Sequence, residues 1–154
     1  MFGSLVPLLR ARKAGLLRLR AAQKPIRFEC LGARCRRCCS VMGGGIILRS
    51  EGEANLLPAE SVECVDRTWR IKDERGVCTL LKGGRCVCYQ SRPKGCQEYP
   101  WYNISGNLYY DRGCPGMKTD GDNRPDIAGI APIETYLPLR KWILGLCVLL
   151  MRQW

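Results

Sequence analysis

The sequence contains no histidine. That absence excludes histidine-based acid–base catalysis, cysteine–histidine dyads and histidine-ligated zinc sites. It also lacks a long apolar run. The longest, Trp142 to Met151, is interrupted by Gly145 and falls short of the roughly 20 residues that cross a bilayer. Acidic residues are missing from the first 28 positions, where the apolar stretch from Leu5 to Leu9 gives way to Arg10, Arg12 and Lys13, and Leu16, Leu17 and Leu19 are broken by Arg18. A secretory leader needs an unbroken apolar stretch after its charges, so none is expected here.

What the chain has instead is cysteine, 11 in 154 residues, and base, 25 Lys and Arg against 14 Asp and Glu for a formal +11. An odd count leaves one thiol over in a pure disulfide framework. Many thiols in a reducing cytoplasm point to metal or cluster binding. The positive excess points to an anionic partner, or to an anionic centre inside the protein. A four-thiolate zinc site carries about −2, so two of them would bring the sum down to about +7.

Three segments follow from composition. Residues 1–27 interleave leucines with Arg10, Arg12, Lys13, Arg18, Arg20, Lys24 and Arg27 and read as a basic amphipathic helix, able to lie on an anionic membrane or nucleic acid or to pack on the domain. Residues 28–117 hold all the cysteines but Cys147. Within them Ile46–Leu48 reads as a short strand, and Ser50 with Glu53 as a capping box that opens a short helix ending before Pro58. Thr79 to Tyr89 reads as a hairpin about Gly83-Gly84, and Leu108–Tyr110 as a strand after the Ser105-Gly106-Asn107 turn. Residues 118–154 begin polar and turn-rich and end in an apolar helix over 139–154. The expected fold is α+β: a small, irregular cysteine-rich domain organised around metal sites, with helical N- and C-terminal extensions.

The thiols fall into two groups. Cys30, Cys35, Cys38 and Cys39 form the first, with Cys35-x2-Cys38 spaced to chelate one tetrahedral ion from a tight turn. Cys78, Cys86, Cys96 and Cys114 make up the second, most of them beside Gly or Pro turns whose backbone N–H groups can bond metal-bound sulfur. Arg34, Arg36, Arg37, Arg85 and Arg92 lie close to these thiols in sequence and would favour thiolate. Adjacent side chains of extended backbone point opposite ways, so Cys38 and Cys39 should not both serve one small ion. By the same logic Cys88 faces away from Cys86 on a strand over 85–89 and reads as core. Cys64 and Cys147 stand alone and read as structural, buried and inert.

At these residues the chain resembles the YkgJ-type cysteine-cluster proteins, the CxxCxxCC zinc- or iron-chelating family. The resemblance runs over roughly 28–117, through Cys30, Cys35, Cys38 and Cys39, then Cys78 to Leu81, Cys86, Tyr89, Arg92, Pro93, Cys96, Tyr99-Pro100 and Cys114. It departs in a four-residue first gap, in Arg36-Arg37 inside the first cluster, in Cys88 at an apolar position and in Gln97 where Arg is common. It implies eight metal ligands, Cys30, Cys35, Cys38, Cys39, Cys78, Cys86, Cys96 and Cys114.

The expected function is thus metal binding, as iron–sulfur cluster or zinc and with room for two sites, in a redox, cluster-handling or metal-handling role. The alternative is a structural-zinc module that binds protein, nucleic acid or membrane through its basic arm. No catalytic residues are assigned, because Tyr89, Arg92, Glu98 and Asp111 lie near cysteines but no spacing pairs them. The expected location is cytoplasmic, with peripheral membrane contact as a further option. Trp69, Trp101, Tyr102, Tyr109 and Tyr110 are expected in the core.

Overall fold

A computed structural model describes residues 18–40, 46–65 and 67–133. They form a small, mixed, strand-rich domain. Eleven short strands run in chain order: β1 (Leu19–Ala21), β2 (Arg27–Phe28), β3 (Val62–Val65), β4 (Thr68–Ile71), β5 (Asp73–Glu74), β6 (Val77–Cys78), β7 (Leu81–Lys82), β8 (Arg85–Cys86), β9 (Trp101–Ile104), β10 (Asn107–Asp111) and β11 (Met117–Lys118). One antiparallel sheet has the order β1-β10-β9, and four further pairs are β2 with β11, β3 with β4, β5 with β6, and β7 with β8. Three helices of four or five residues, Arg37–Ser40, Glu51–Ala54 and Lys94–Glu98, lie between them.

Three tight turns explain much of the strand pairing. Gly83 and Gly84 both hold positive φ, 55° and 78°. So do Arg75 with Gly76, and Ser105 with Gly106. Two consecutive positive φ values give the turn whose twist matches an antiparallel hairpin. The expected hairpins at Gly83-Gly84 and Ser105-Gly106 are therefore present. The first has shorter strands than expected, since β8 stops at Cys86. The expected strand at Ile46–Leu48 pairs with β4 through the bridge of Ile47 to Arg70, with Leu48 donating to Trp69 at 2.9 Å.

The capping residue at Ser50 accepts from the Glu53 backbone at 3.2 Å. Glu53 does not close the box on Ser50. Its carboxylate takes the Arg49 N–H at 2.7 Å and the Lys94 N–H at 2.6 Å. One side chain thereby serves two helix starts, and the Arg49–Glu98 ion pair makes a second tie between the same segments.

Two apolar clusters make the core. The first is Leu48, Ala54, Leu57, Ile71, Cys78 and Leu80, with Cys39, Cys86, Cys88, Cys96 and Trp69 packed against it. The second is Ile26, Trp101, Tyr110 and Ile130, in which the Trp101 and Tyr110 rings lie 6.1 Å apart at 59°. Trp101 and Tyr110 are buried as expected, whereas Tyr102 and Tyr109 are half-buried.

The ends differ from expectation where they are described. Within 18–27 the chain is not helical: Leu19–Ala21 adds an edge strand, with Arg20 opposite Tyr110. A buried central sheet strand leaves ladder groups to be paired, and the segment's backbone satisfies them. The polar stretch after Lys118 closes on this segment. The Asn123 amide accepts from Phe28 N at 2.7 Å and donates to Phe28 O at 2.8 Å, which extends the β2 ladder with a side chain. The rest of the expected N-terminal helix, the whole C-terminal helix over 139–154 and Cys147 lie outside the described residues.

Candidate metal centre

Every described cysteine is a free thiol. Short elements carry five of the ten inward. The helix Arg37–Ser40, whose Ser40 hydroxyl bonds back to Arg36 O at 2.9 Å, presents Cys38 and Cys39 and packs against β6, which ends at Cys78. The β7–β8 hairpin sets Cys86 opposite Leu81. The helix Lys94–Glu98, fixed at its start by Glu53, brings Cys96 onto the first core cluster.

Cys38 and Cys39 are helical, not extended, and their sulfurs are 3.8 Å apart. The expectation that they diverge is therefore wrong: successive helical residues are separated by about 100° around the axis, not by the 180° of a strand. Cys86 and Cys88 form a second close pair, with sulfurs 3.7 Å apart. Here too the strand argument fails, because the chain turns after Cys86 and swings Cys88 back.

Charge coupling divides the thiols. Cys38, Cys78, Cys86 and Cys88 act on the Cys96 thiol, which burial first pushes up. Burial likewise pushes Cys78 up, and Cys88 up to about 12. Cys39 is raised by its bond to Cys38, while donation from Cys39 holds Cys38 down to about 6, with a lesser contribution from Arg92. Of the arginines expected to favour thiolate, Arg92 acts on Cys38. Arg37 turns to Asp111, and the Arg92 guanidinium stacks 3.9 Å from the Tyr89 ring centre and bonds Tyr89 O at 3.1 Å.

The other group lies at the turn after β10. Burial raises the Cys114 thiol, and Tyr99 and Cys35 are among the groups that act on it. Cys30 is exposed at the end of β2, and its sulfur accepts the Gly32 N–H at 3.4 Å. Pairing of β2 with β11 brings it toward Cys114, and Glu29 donates to Gly116 O at 2.9 Å. Gly116 is required there, because a Cβ would collide with the Glu29 carbonyl oxygen and lie 3.0 Å from the Phe28 ring. Gly116→Ala is expected to cost about 1–3 kcal/mol, as overpacking does, read as a lower urea midpoint.

Asp111 organises this end. It is fully buried and accepts from Arg18 N at 3.1 Å, Gly113 N at 2.8 Å and the Tyr99 hydroxyl at 2.8 Å, with Arg37 at 3.9 Å. Its oxygens are committed to these partners, so it positions the Cys114 turn and the Cys38 helix. Of the other residues near cysteines, Glu98 pairs with Arg49 and Arg92 stacks on Tyr89. Cys64 corrects an expectation as well. It sits on β3 opposite Trp69 and is exposed, because the outward face of a two-stranded pair is uncovered.

The donor chemistry fits zinc or iron. With zinc–sulfur bonds of about 2.3 Å, two thiolates on one tetrahedral ion lie about 3.8 Å apart. Both close pairs have that spacing. Among the described residues no three Cys, Asp or Glu already stand together as an ion's ligands, so the thiols are assembled in pairs. Sequence reasoning missed the Cys86–Cys88 pair, although its Cys-x-Cys spacing was visible.

Comparison with curated proteins and with solved structures returns no match. A family model does match, over residues 29–115, more than half of the chain: CxxCxxCC, described as "Putative zinc- or iron-chelating domain". With its paired thiols carried on that matched stretch, the chain belongs to the CxxCxxCC family.

Proposed function

We propose that this protein holds zinc or iron through thiolates alone, and that its role is to handle that metal or the electrons of its cluster in a reducing, cytoplasmic setting. Cys38, Cys39, Cys78, Cys86 and Cys96 supply one centre. Cys30, Cys35 and Cys114 supply a second. The observation that carries this reading is the ligand-like spacing of the thiol pairs on a core that contains no competing histidine. Bound metal would supply Lewis acidity or electron transfer. The chain's own contribution is to fix the sulfurs on short turns and to hold Asp111 and Arg37 behind them. Several of the sulfurs are only half-buried, which leaves them open to exchange with a donor or acceptor.

The test is metal and acid-labile sulfide content, with a visible spectrum, on anaerobically purified protein. Iron and sulfide with broad visible absorption identify a cluster protein. Colourless protein with stoichiometric zinc identifies a zinc protein. Neither metal above background overturns the proposal.

Binding should also release protons. Burial raises the Cys78 and Cys96 thiols, so they are protonated at neutral pH and lose their protons to become ligands. Apparent affinity should rise about tenfold per pH unit for each proton displaced, and fall as pH is lowered. A pH-stat titration with zinc reads this directly, and zero release would exclude thiolate ligation.

A further inference from the structure

We propose that Cys88 is a ligand of the first centre and chelates one ion together with Cys86. This rests on the thiolate-centre reading and adds a thiol at a position outside the eight matched to the family.

Local geometry carries the assignment. Strand β8 ends at Cys86, and Val87 donates to Leu80 O at 2.9 Å as the chain turns. That turn leaves Val87 outside, 56% exposed, and brings Cys88 in against the core. Burial alone does not separate the two, because free cysteine is buried as readily as valine; the sulfur–sulfur spacing does. Here the valine faces solvent and the thiol is placed 3.7 Å from a second thiol.

The placement is held from behind. Cys88 has φ −114° and ψ 34°, outside both helix and strand, and its carbonyl accepts Ser91 N at 3.0 Å at the start of a single helical turn. Arg92 then bonds Tyr89 O and stacks on the Tyr89 ring. Cys39, Cys86, Cys88 and Cys96 pack on one cluster that includes Cys78, and Cys38 touches Cys39. One tetrahedral ion takes four thiolates. Cys38, Cys39, Cys78, Cys86 and Cys96 already exceed that number, and Cys88 makes six, as many as two ions with two shared sulfurs would take.

The decisive experiment loads the full chain with cadmium-113, a soft spin-active probe ion, and records correlations from cadmium to cysteine β-protons. The expected result is one cadmium resonance coupled to both Cys86 and Cys88. Cadmium coupled to other cysteines but not to Cys88 overturns the inference and leaves the proposed function standing. Cadmium coupled to no cysteine overturns both. In parallel, Cys88→Val should lower zinc affinity at least tenfold in competition with a chelator, while Cys64→Val on the exposed face of β3 leaves it unchanged. Equal affinity for Cys88→Val and the native chain also overturns the inference.

Discussion

Stripping the metal from the native chain is expected to unfold it. The described strands are two to five residues long, and four of the five sheets are single pairs. An isolated pair of that size is marginal in water. The two core clusters are small. Against this, structural zinc binding contributes about 10–16 kcal/mol, as much as the whole stability of an ordinary domain, about 5–15 kcal/mol. Metal on the proposed ligands would tie together a helix, the ends of β6 and β8, and a second helix, elements that meet around the first cluster. Chelation under reducing conditions should therefore abolish the near-ultraviolet signal of Trp69 and Trp101 and most amide protection together, and added metal should restore both. Cys38→Ser or Cys96→Ser should lose metal and structure in parallel. Cys64→Ser, exposed on β3, and Cys147→Ser should lose neither. A Cys96→Ser protein that keeps its full metal content would overturn the ligand assignment, and one that is metal-free but folded would overturn the coupling of metal to folding.

Asp111→Ala should destabilise the metal-loaded protein by about 3–5 kcal/mol, the cost of removing one member of a buried charged pair. No other described carboxyl is as enclosed. It is fully buried and gathers the Arg18 and Gly113 N–H groups, the Tyr99 hydroxyl and Arg37. Alanine would remove the acceptor of the Gly113 N–H and the Tyr99 hydroxyl and a partner of Arg18 and Arg37, and a buried donor left unpaired costs about 1–3 kcal/mol. Asp111→Asn keeps the shape and one acceptor oxygen and should cost less. Tyr99→Phe should cost about 1.5–3 kcal/mol, the worth of one hydrogen bond to a charged group. The effect would be read as urea midpoints with metal held in excess. A loss under about 1 kcal/mol for Asp111→Ala, within reach of a typical single substitution, would show that the cluster is relaxed by water or by neighbouring groups.

Local signals were legible in the sequence wherever a short range decides. Gly83-Gly84 and Ser105-Gly106 set their hairpins, because positive φ at two successive residues is a local demand. Ser50 capped its helix for the same reason. The family, and with it the zinc- or iron-chelating character of the domain, was written in the cysteine spacing over 29–115. Four features were set by tertiary structure alone. Leucine-and-arginine periodicity pointed to a helix through 18–27, but an open edge of β10 recruits Leu19–Ala21 as a strand. The early end of β8, at Cys86 and not at residue 89, turned Cys88 from the far side of a strand to the side of Cys86. Glu53 answered two helix starts far apart in sequence, and Asp111 joined Arg18, Arg37, Tyr99 and Gly113. Sequence spacing determines which residues can meet within a turn. Which thiols and carboxylates meet across the chain depends on how the unsatisfied backbone and buried polar groups of distant segments are paired, and only the folded arrangement decides that.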